Sequence, residues 1–427
     1  MRSNHACGAL EHAVSRRGFF RSAAAVAGMG AGLWGGSMVQ PAVAEQLGKS
    51  QKRVLNIFLR GGVSQLETWD PKPNTDTGGP FRAIPTSVPG THISELLPHT
   101  AKVMHHLSLI RGINSHNGDH AKGQVEMTTG RTKMPGVEYP HLGAVSAKVL
   151  MPDQFPLPGH IVIQGGGGGG PAAYLGPKYA SVVLSEGKAP QYSERLASLT
   201  EAAESRRNQF RQLASDRFAS RRRTADTDAY TSSYEQARQL MQRRDVFDVT
   251  KESAADLERY GKFEFGKHML LARRLLEQGV PFVQVNHSEY DSHFENFDFH
   301  IEQLGEFDLP FATLVGDLAD RGLLKDTLIV VMSEFGRTPK INRNYGRDHW
   351  GTAWSVCLGG AGIQPGAVIG KTNDNGTAVT DREVDHGHLF HTYLRAVGVD
   401  SKLEFDIGGR KFPIADPAKS AITELLA

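Results

Sequence analysis

The chain has 427 residues, with 48 basic and 46 acidic side chains and a formal charge of +2. Without residues 1–44 the balance becomes 44 basic against 45 acidic, so the basic excess belongs to the N-terminal segment. A near-neutral remainder gives no support to a role resting on nucleic-acid phosphates or anionic membrane surfaces, and 383 residues suffice for a large α/β core.

The start reads Ser15-Arg16-Arg17-Gly18-Phe19-Phe20-Arg21, followed by an uncharged stretch rich in Ala and Gly that ends Ala42-Val43-Ala44 before Glu45. A basic region, a modest apolar region and a small-x-small exit predict a signal peptide over 1–44. Its paired arginines resemble the twin-arginine export signal of bacteria, so the domain over 45–427 is expected in the periplasm or otherwise exported. The stretch is too rich in Gly and Ala to hold a spanning helix comfortably, and no stable membrane insertion is expected after cleavage. Cys7 leaves with this segment and Cys357 remains alone, which rules out an intrachain disulfide.

Arg53–Leu59 is an apolar run leading through Arg60 to Gly61-Gly62, and it predicts a first strand followed by a ligand-side loop. Leu107–Ile110 and Ile161–Gln164 read as further strands, and His141–Val149 as a helix. Gly165–Gly170 has neither a P-loop lysine nor a dinucleotide fingerprint and reads as a turned loop. From about 185 to 260 the chain is dense in Arg, Glu, Gln and Ala, with apolar residues recurring every three or four positions. The pattern predicts a helical insertion packed on or over the sheet, with Arg221-Arg222-Arg223 as a solvated helix end. Beyond it, Lys267–Gln278, Pro310–Arg321 and His388–Val397 have helical spacing, while Pro281–Asn286, Thr327–Met332 and Trp354–Leu358 read as strands. Thr327–Met332 is continuously apolar, as a strand buried on both faces should be.

Polar residues with metal-ligand chemistry cluster after the predicted strand ends, where an open α/β sheet presents its site. Asp291 and His293 are two apart and share one face of an extended segment. Asp348-His349 and Asp385-His386 are adjacent pairs that can supply two ligands, or one ligand and the carboxylate that orients it. His116 and His120 are four apart. Arg337 is suited to clamp an oxyanion or to pair with a carboxylate. Carboxylate and imidazole donors together imply a divalent metal such as zinc, manganese, calcium or iron.

The segments Gly61–Pro73, His116–His120, Asp291–His293, Ser333–Pro339 and Gly346–Trp350 together resemble the DUF1501 family of exported, sulfatase-like proteins. That family is grouped with the alkaline phosphatase-like fold, so the resemblance implies an alkaline phosphatase-like three-layer α/β sandwich with a mostly parallel central sheet. It also implies a metal-dependent hydrolase of phosphate or sulfate esters, acting on a small-molecule or glycan ester. A non-catalytic oxyanion- or sulfated-glycan-binding protein, or a structural member of the fold, is the alternative. The resemblance makes Asp291, His293, Glu334 and His349 metal ligands, with His116 or Asp119 completing the set. Arg337 would then hold the substrate oxyanion, and His120 would stand in the nucleophile's place or act as general acid. Phe335 replaces a histidine of the wider group's acidic-His-Gly sequence, and the Cys-x-Pro-x-Arg motif of sulfatases is absent.

Overall fold

The computed structural model describes residues 51–427, apart from 154, 165–169, 186–187, 190–192 and 221–224. The predicted signal, most of the glycine run and the arginine triplet therefore lie outside the described residues. Eight strands form the central sheet: β1 (Arg53–Leu59), β2 (Leu107–Ile113), β3 (His160–Ile163), β4 (Val182–Leu184), β5 (Phe282–His287), β6 (Thr327–Met332), β7 (Trp354–Gly360) and β8 (Val368–Ile369). Their order is β8-β2-β7-β6-β1-β5-β3-β4. Seven run in one direction, and β7 alone is antiparallel to both of its neighbours.

The helices are α1 (Pro98–Val103), α2 (His120–Thr129), α3 (Leu142–Leu150), α4 (Glu201–Ala219), α5 (Ala225–Gln242), α6 (Ala254–Arg259), α7 (Glu264–Glu277), α8 (Asn296–Asp320) and α9 (His386–Ala396). Alternation along β1 explains the layering. Leu55, Ile57 and Leu59 pack with Leu271, Leu275, Phe311 and Val315 of α7 and α8. Val54 and Phe58 join Val145 of α3 and Leu389 and Phe390 of α9 on the opposite face. A sheet buried on both faces between helices is the three-layer α/β sandwich expected. No helix among the described residues is long and apolar enough to cross a membrane.

The register places the site. Leu59 pairs with His287 and Phe58 with Met332, so β1, β5 and β6 end level with one another. Their outgoing loops, which begin at Arg60, Ser288 and Ser333, therefore leave the sheet side by side at its C-terminal edge.

The stretch read as a helical insertion contains α4, α5 and α6, but its apolar periodicity is only partly used for packing. Leu240, Val246 and Phe247 join the core beside α7. Phe210 and Leu213 of α4 instead remain 78% and 68% exposed, and Leu196 is exposed ahead of them. Arg211 ties α4 to α5 by pairing with Glu235 and lying 4.0 Å over the Tyr234 ring.

Three core histidines make the fold acid-sensitive. Burial pushes His160 down to about 4 and His287 to about 3, and it holds His141, stacked on His160, well below its ordinary value. All three are neutral in the folded state, whereas the unfolded chain takes up protons near pH 6.5. Stability is therefore full above that pH and falls as pH drops toward 4. At about 1.4 kcal/mol per pKa unit, His160 alone accounts for roughly 3 kcal/mol. Urea midpoints measured from pH 7 to 4.5 should fall steadily, and a flat profile would contradict neutral burial.

Candidate metal centre

Four loops converge at the C-terminal edge. The β1 loop begins with Gly61, whose φ of +111° lets it lie against the Tyr290–Asp291 backbone. A Cβ there would come within 2.5 Å of the Asp291 nitrogen, so this approach requires glycine. The loop after β2 ends at Asp119, whose side chain caps α2 by accepting from Lys122 N–H and so sets His120 at the helix's first position. The β5 loop carries Asp291 and His293. The β6 loop carries Glu334, then a two-stranded hairpin pairs Gly336–Arg337 with His349–Trp350.

One ligand atom each from His120, Asp291 and His349 lies within 4.8 Å of the others. His349 Nε2 is 3.3 Å from Asp291 Oδ1, and His120 Nε2 is 3.4 Å from Asp291 Oδ2. His293 joins them, its Nε2 being 3.0 Å from His349 Nε2 and 3.2 Å from Asp291 Oδ1. Partners on the far side of each ring fix the tautomers. His349 Nδ1 donates to the Gly118 carbonyl at 2.7 Å, and His293 Nδ1 to Asp348 at 2.9 Å. His120 Nδ1 donates to Glu334 Oε1 at 2.7 Å. With each proton held on Nδ1, the three Nε2 atoms turn lone pairs toward the Asp291 carboxylate.

That convergence is electrostatically unfavourable without a cation or a proton among the donors. Burial lowers the basicity of His349, which makes a proton the poorer occupant there. His120 Nε2 is buried without a hydrogen-bond partner. Imidazoles oriented by a carboxylate or carbonyl behind them are the usual surroundings of a bound metal, and the donor set fits one.

Electrostatics around the cluster prepare it. Burial opposes ionisation of Asp291, but Arg337 at 2.5 Å outweighs it and holds the carboxyl below its usual range. The hydrogen bond to Glu334 raises His120 above its ordinary value. The bond from His293 lowers Asp348.

Several residues take places other than those expected. Glu334 sits behind His120, its Oε1 also accepting from Gly61 N–H at 3.0 Å and its Oε2 lying 3.0 Å from Ser333 Oγ. Its carboxylate is thus spent on orienting neighbours. Arg337 is wholly buried and donates to the Gly61, Gly62 and Arg347 carbonyls as well as to Asp291. It anchors loops, and an oxyanion clamp would need those donors. His120 has Nδ1 committed to Glu334 and Nε2 sealed against Asp291, so neither nitrogen is placed to attack a substrate. His116 is exposed beside Glu383, and Asp119 is an exposed helix cap. Neither stands with the cluster. Asp385 caps α9 and pairs with His388 and Lys419.

Sequence reasoning missed the frame behind the site. Arg347 donates to Glu67, both fully buried, and also to the Thr338, Pro339 and Thr77 carbonyls. This pair joins the β1 loop to the hairpin that carries His349. Phe335, in the place of a group histidine, packs its ring 4.8 Å from His120 and 4.6 Å from His349, as a wall. The signal for Glu67 and Arg347 was present as charge inside otherwise apolar or glycine-rich motifs.

No curated protein matches the chain. Among solved structures it is similar to the PsFucS1 sulfatase from Pseudoalteromonas sp., at 15% identity and a TM-score of 0.40, over 85% of this chain and 73% of that one. The lipoteichoic acid synthase LtaP from Listeria monocytogenes matches at 9% identity and 0.39, over 86% and 76%. An alkaline phosphatase superfamily protein from Vibrio parahaemolyticus matches at 12% and 0.37, over 82% and 67%. At such scores, activity is left to the chemistry of the site itself. Residues 51–426 match the family model described as protein of unknown function (DUF1501), and the chain belongs to that family.

Proposed function

We propose that the chain is an exported, single-metal hydrolase of phosphate or sulfate esters, working in the periplasm. The observation that carries this reading is the convergence of His120, His293, His349 and Asp291, each imidazole held with its Nε2 lone pair inward. Three imidazoles and a carboxylate favour zinc, manganese or iron over calcium, which takes oxygen ligands. Such a cation supplies Lewis acidity, polarising an ester oxygen and favouring the ionisation of water. The protein's own groups orient and charge the donors. Glu334 keeps the His120 proton on Nδ1, Asp348 and the Gly118 carbonyl do the same for His293 and His349, and Arg337 keeps Asp291 ionised.

The non-catalytic binding alternative loses support because Arg337, its expected anion clamp, is spent on carbonyls and Asp291. A purely structural role would leave these side chains scattered or paired singly. The test is elemental analysis of protein purified from its native compartment without chelator, followed by screens with phosphate and sulfate esters. Near one equivalent of metal, with ester cleavage that chelator abolishes and metal restores, supports the reading. Protein that stays metal-free after incubation with zinc, manganese and iron ends it.

Glu334→Gln separates ligand from orienting partner. As an orienting group, Glu334 contributes about 10–100-fold in metal affinity. The variant should therefore bind metal within that range of weakening, as read by chelator competition. Complete loss would make Glu334 a ligand, and unchanged affinity would remove it from the site.

A further inference from the structure

A cavity of about 520 Å³, within the roughly 300–1,000 Å³ span of small-molecule sites, is lined by residues of α2, of the β1 exit and of the end of β5. Two elements link it to the metal centre. Gln124, on its wall, lies one turn along α2 from His120, and positions four apart share a helix face. Arg60, also on its wall, directly precedes Gly61, whose N–H holds Glu334.

Its deeper wall is polar and buried. Asn56 donates to Gln284 at 2.9 Å, Gln284 to Asn286 at 2.8 Å, and Asn286 to the Gln164 carbonyl at 3.0 Å. Each primary amide has two N–H groups, and this chain uses one from each. His141 completes the wall at 4% exposure. Its Nδ1 accepts from Gly143 N–H at 2.9 Å, which places the neutral ring's proton on Nε2. Among the described residues no acceptor meets that Nε2–H. Stacking on His160 at 5.1 Å in a buried setting keeps the ring uncharged. Donors that face a cavity in this way are matched by an occupant that supplies acceptors. The outer wall is the 133–139 loop, where Met134 and Val137 are exposed and Tyr139 is half-buried.

We propose that this cavity receives the organic part of the ester, and that this part is a hydroxylated unit, a glycosyl or polyol group, recognised by His141, Gln284 and Asn286. The proposal rests on the metal-ester reading above. Amides and a neutral imidazole donor match hydroxyl and ring oxygens, whereas an alkyl chain would leave all of them unpaired. His141 here is a specificity residue, remote from the reacting atoms.

The test compares two probes on zinc-loaded protein by calorimetric titration, methyl galactoside 6-sulfate and octyl sulfate. The sugar ester should bind more tightly. In His141→Asn, the amide oxygen keeps the cap on α3, while the ring's Nε2–H is lost and the shorter side chain's own N–H groups are drawn back toward the backbone. This variant should weaken sugar-ester binding about tenfold and leave octyl sulfate and metal content unchanged. Tyr139→Ala, on the outer loop, gives a second reading should His141→Asn fail to fold, and it should also weaken the sugar ester selectively. Equal or tighter binding of octyl sulfate, or sugar-ester binding unmoved by either variant, overturns the proposal. Elemental analysis of the same samples keeps the two readings apart. Metal present without sugar-ester binding defeats the cavity assignment alone. Sugar binding without any metal uptake defeats the ester reading and the cavity's link to it.

Discussion

If the cluster holds a divalent metal as proposed, His349→Ala should abolish its binding. The wild-type ring contributes one of three inward Nε2 atoms and stands within 3.3 Å of both Asp291 and His293. Its removal should cost more than the roughly 10–100-fold typical of an orienting partner. Heat denaturation gives a second, independent reading. A ligand that binds only the folded state adds about 2.7 kcal/mol at a hundred times its Kd. Chelator should therefore lower the melting temperature of wild type and leave that of His349→Ala where it was. A variant that retains stoichiometric metal would remove His349 from the centre.

Glu67→Ala should be the most destabilising single change in the frame of the site. Burial opposes ionisation of Glu67, but Arg347 and His300 outweigh it and hold the carboxyl below its usual range. Both members of the ion pair are fully enclosed, and Arg347 also satisfies three backbone carbonyls. Removing the carboxylate strands a buried guanidinium, at a cost of about 3–5 kcal/mol. Urea denaturation should show this as a lower midpoint with little change in slope. The double variant Glu67→Leu, Arg347→Met should recover much of the loss, since no unpaired charge remains. A single variant within about 1 kcal/mol of wild type would show that water reaches the pair. Metal affinity should fall with stability, because the pair fixes the hairpin that presents His349.

The distinction between ligand and frame is where sequence stops being sufficient. Strands such as Arg53–Leu59 and Thr327–Met332 were legible because a doubly buried strand needs a largely apolar run, interrupted in the first only at Asn56 once past Arg53. The strand-end loops were legible as the site because His and Asp recur there. Which carboxylate stands among the clustered imidazoles was not, because it depends on partners up to 273 residues away, as between Gly61 and Glu334. The same limit hid Arg337, whose guanidinium suits an oxyanion and a cluster of carbonyls equally well. In α4, periodicity correctly marked a helix, but a period of 3.6 does not say whether anything lies against the apolar stripe. Phe210 and Leu213 show that here nothing among the described residues does. The antiparallel course of β7 was likewise unreadable, since local sequence sets burial and leaves direction to the connections on either side.

The enclosure of Cys357 decides when its thiol can react. The thiol sits within β7, between β2 and β6, with no exposed surface, and burial raises it far above the range in which thiols ionise. Mixed disulfides and sulfenic acids form from exposed thiolate. In the native protein neither the exposure nor the ionisation is available. Cys357 can react only when strands at the middle of the sheet separate, so its alkylation rate is a built-in clock for global opening of the fold.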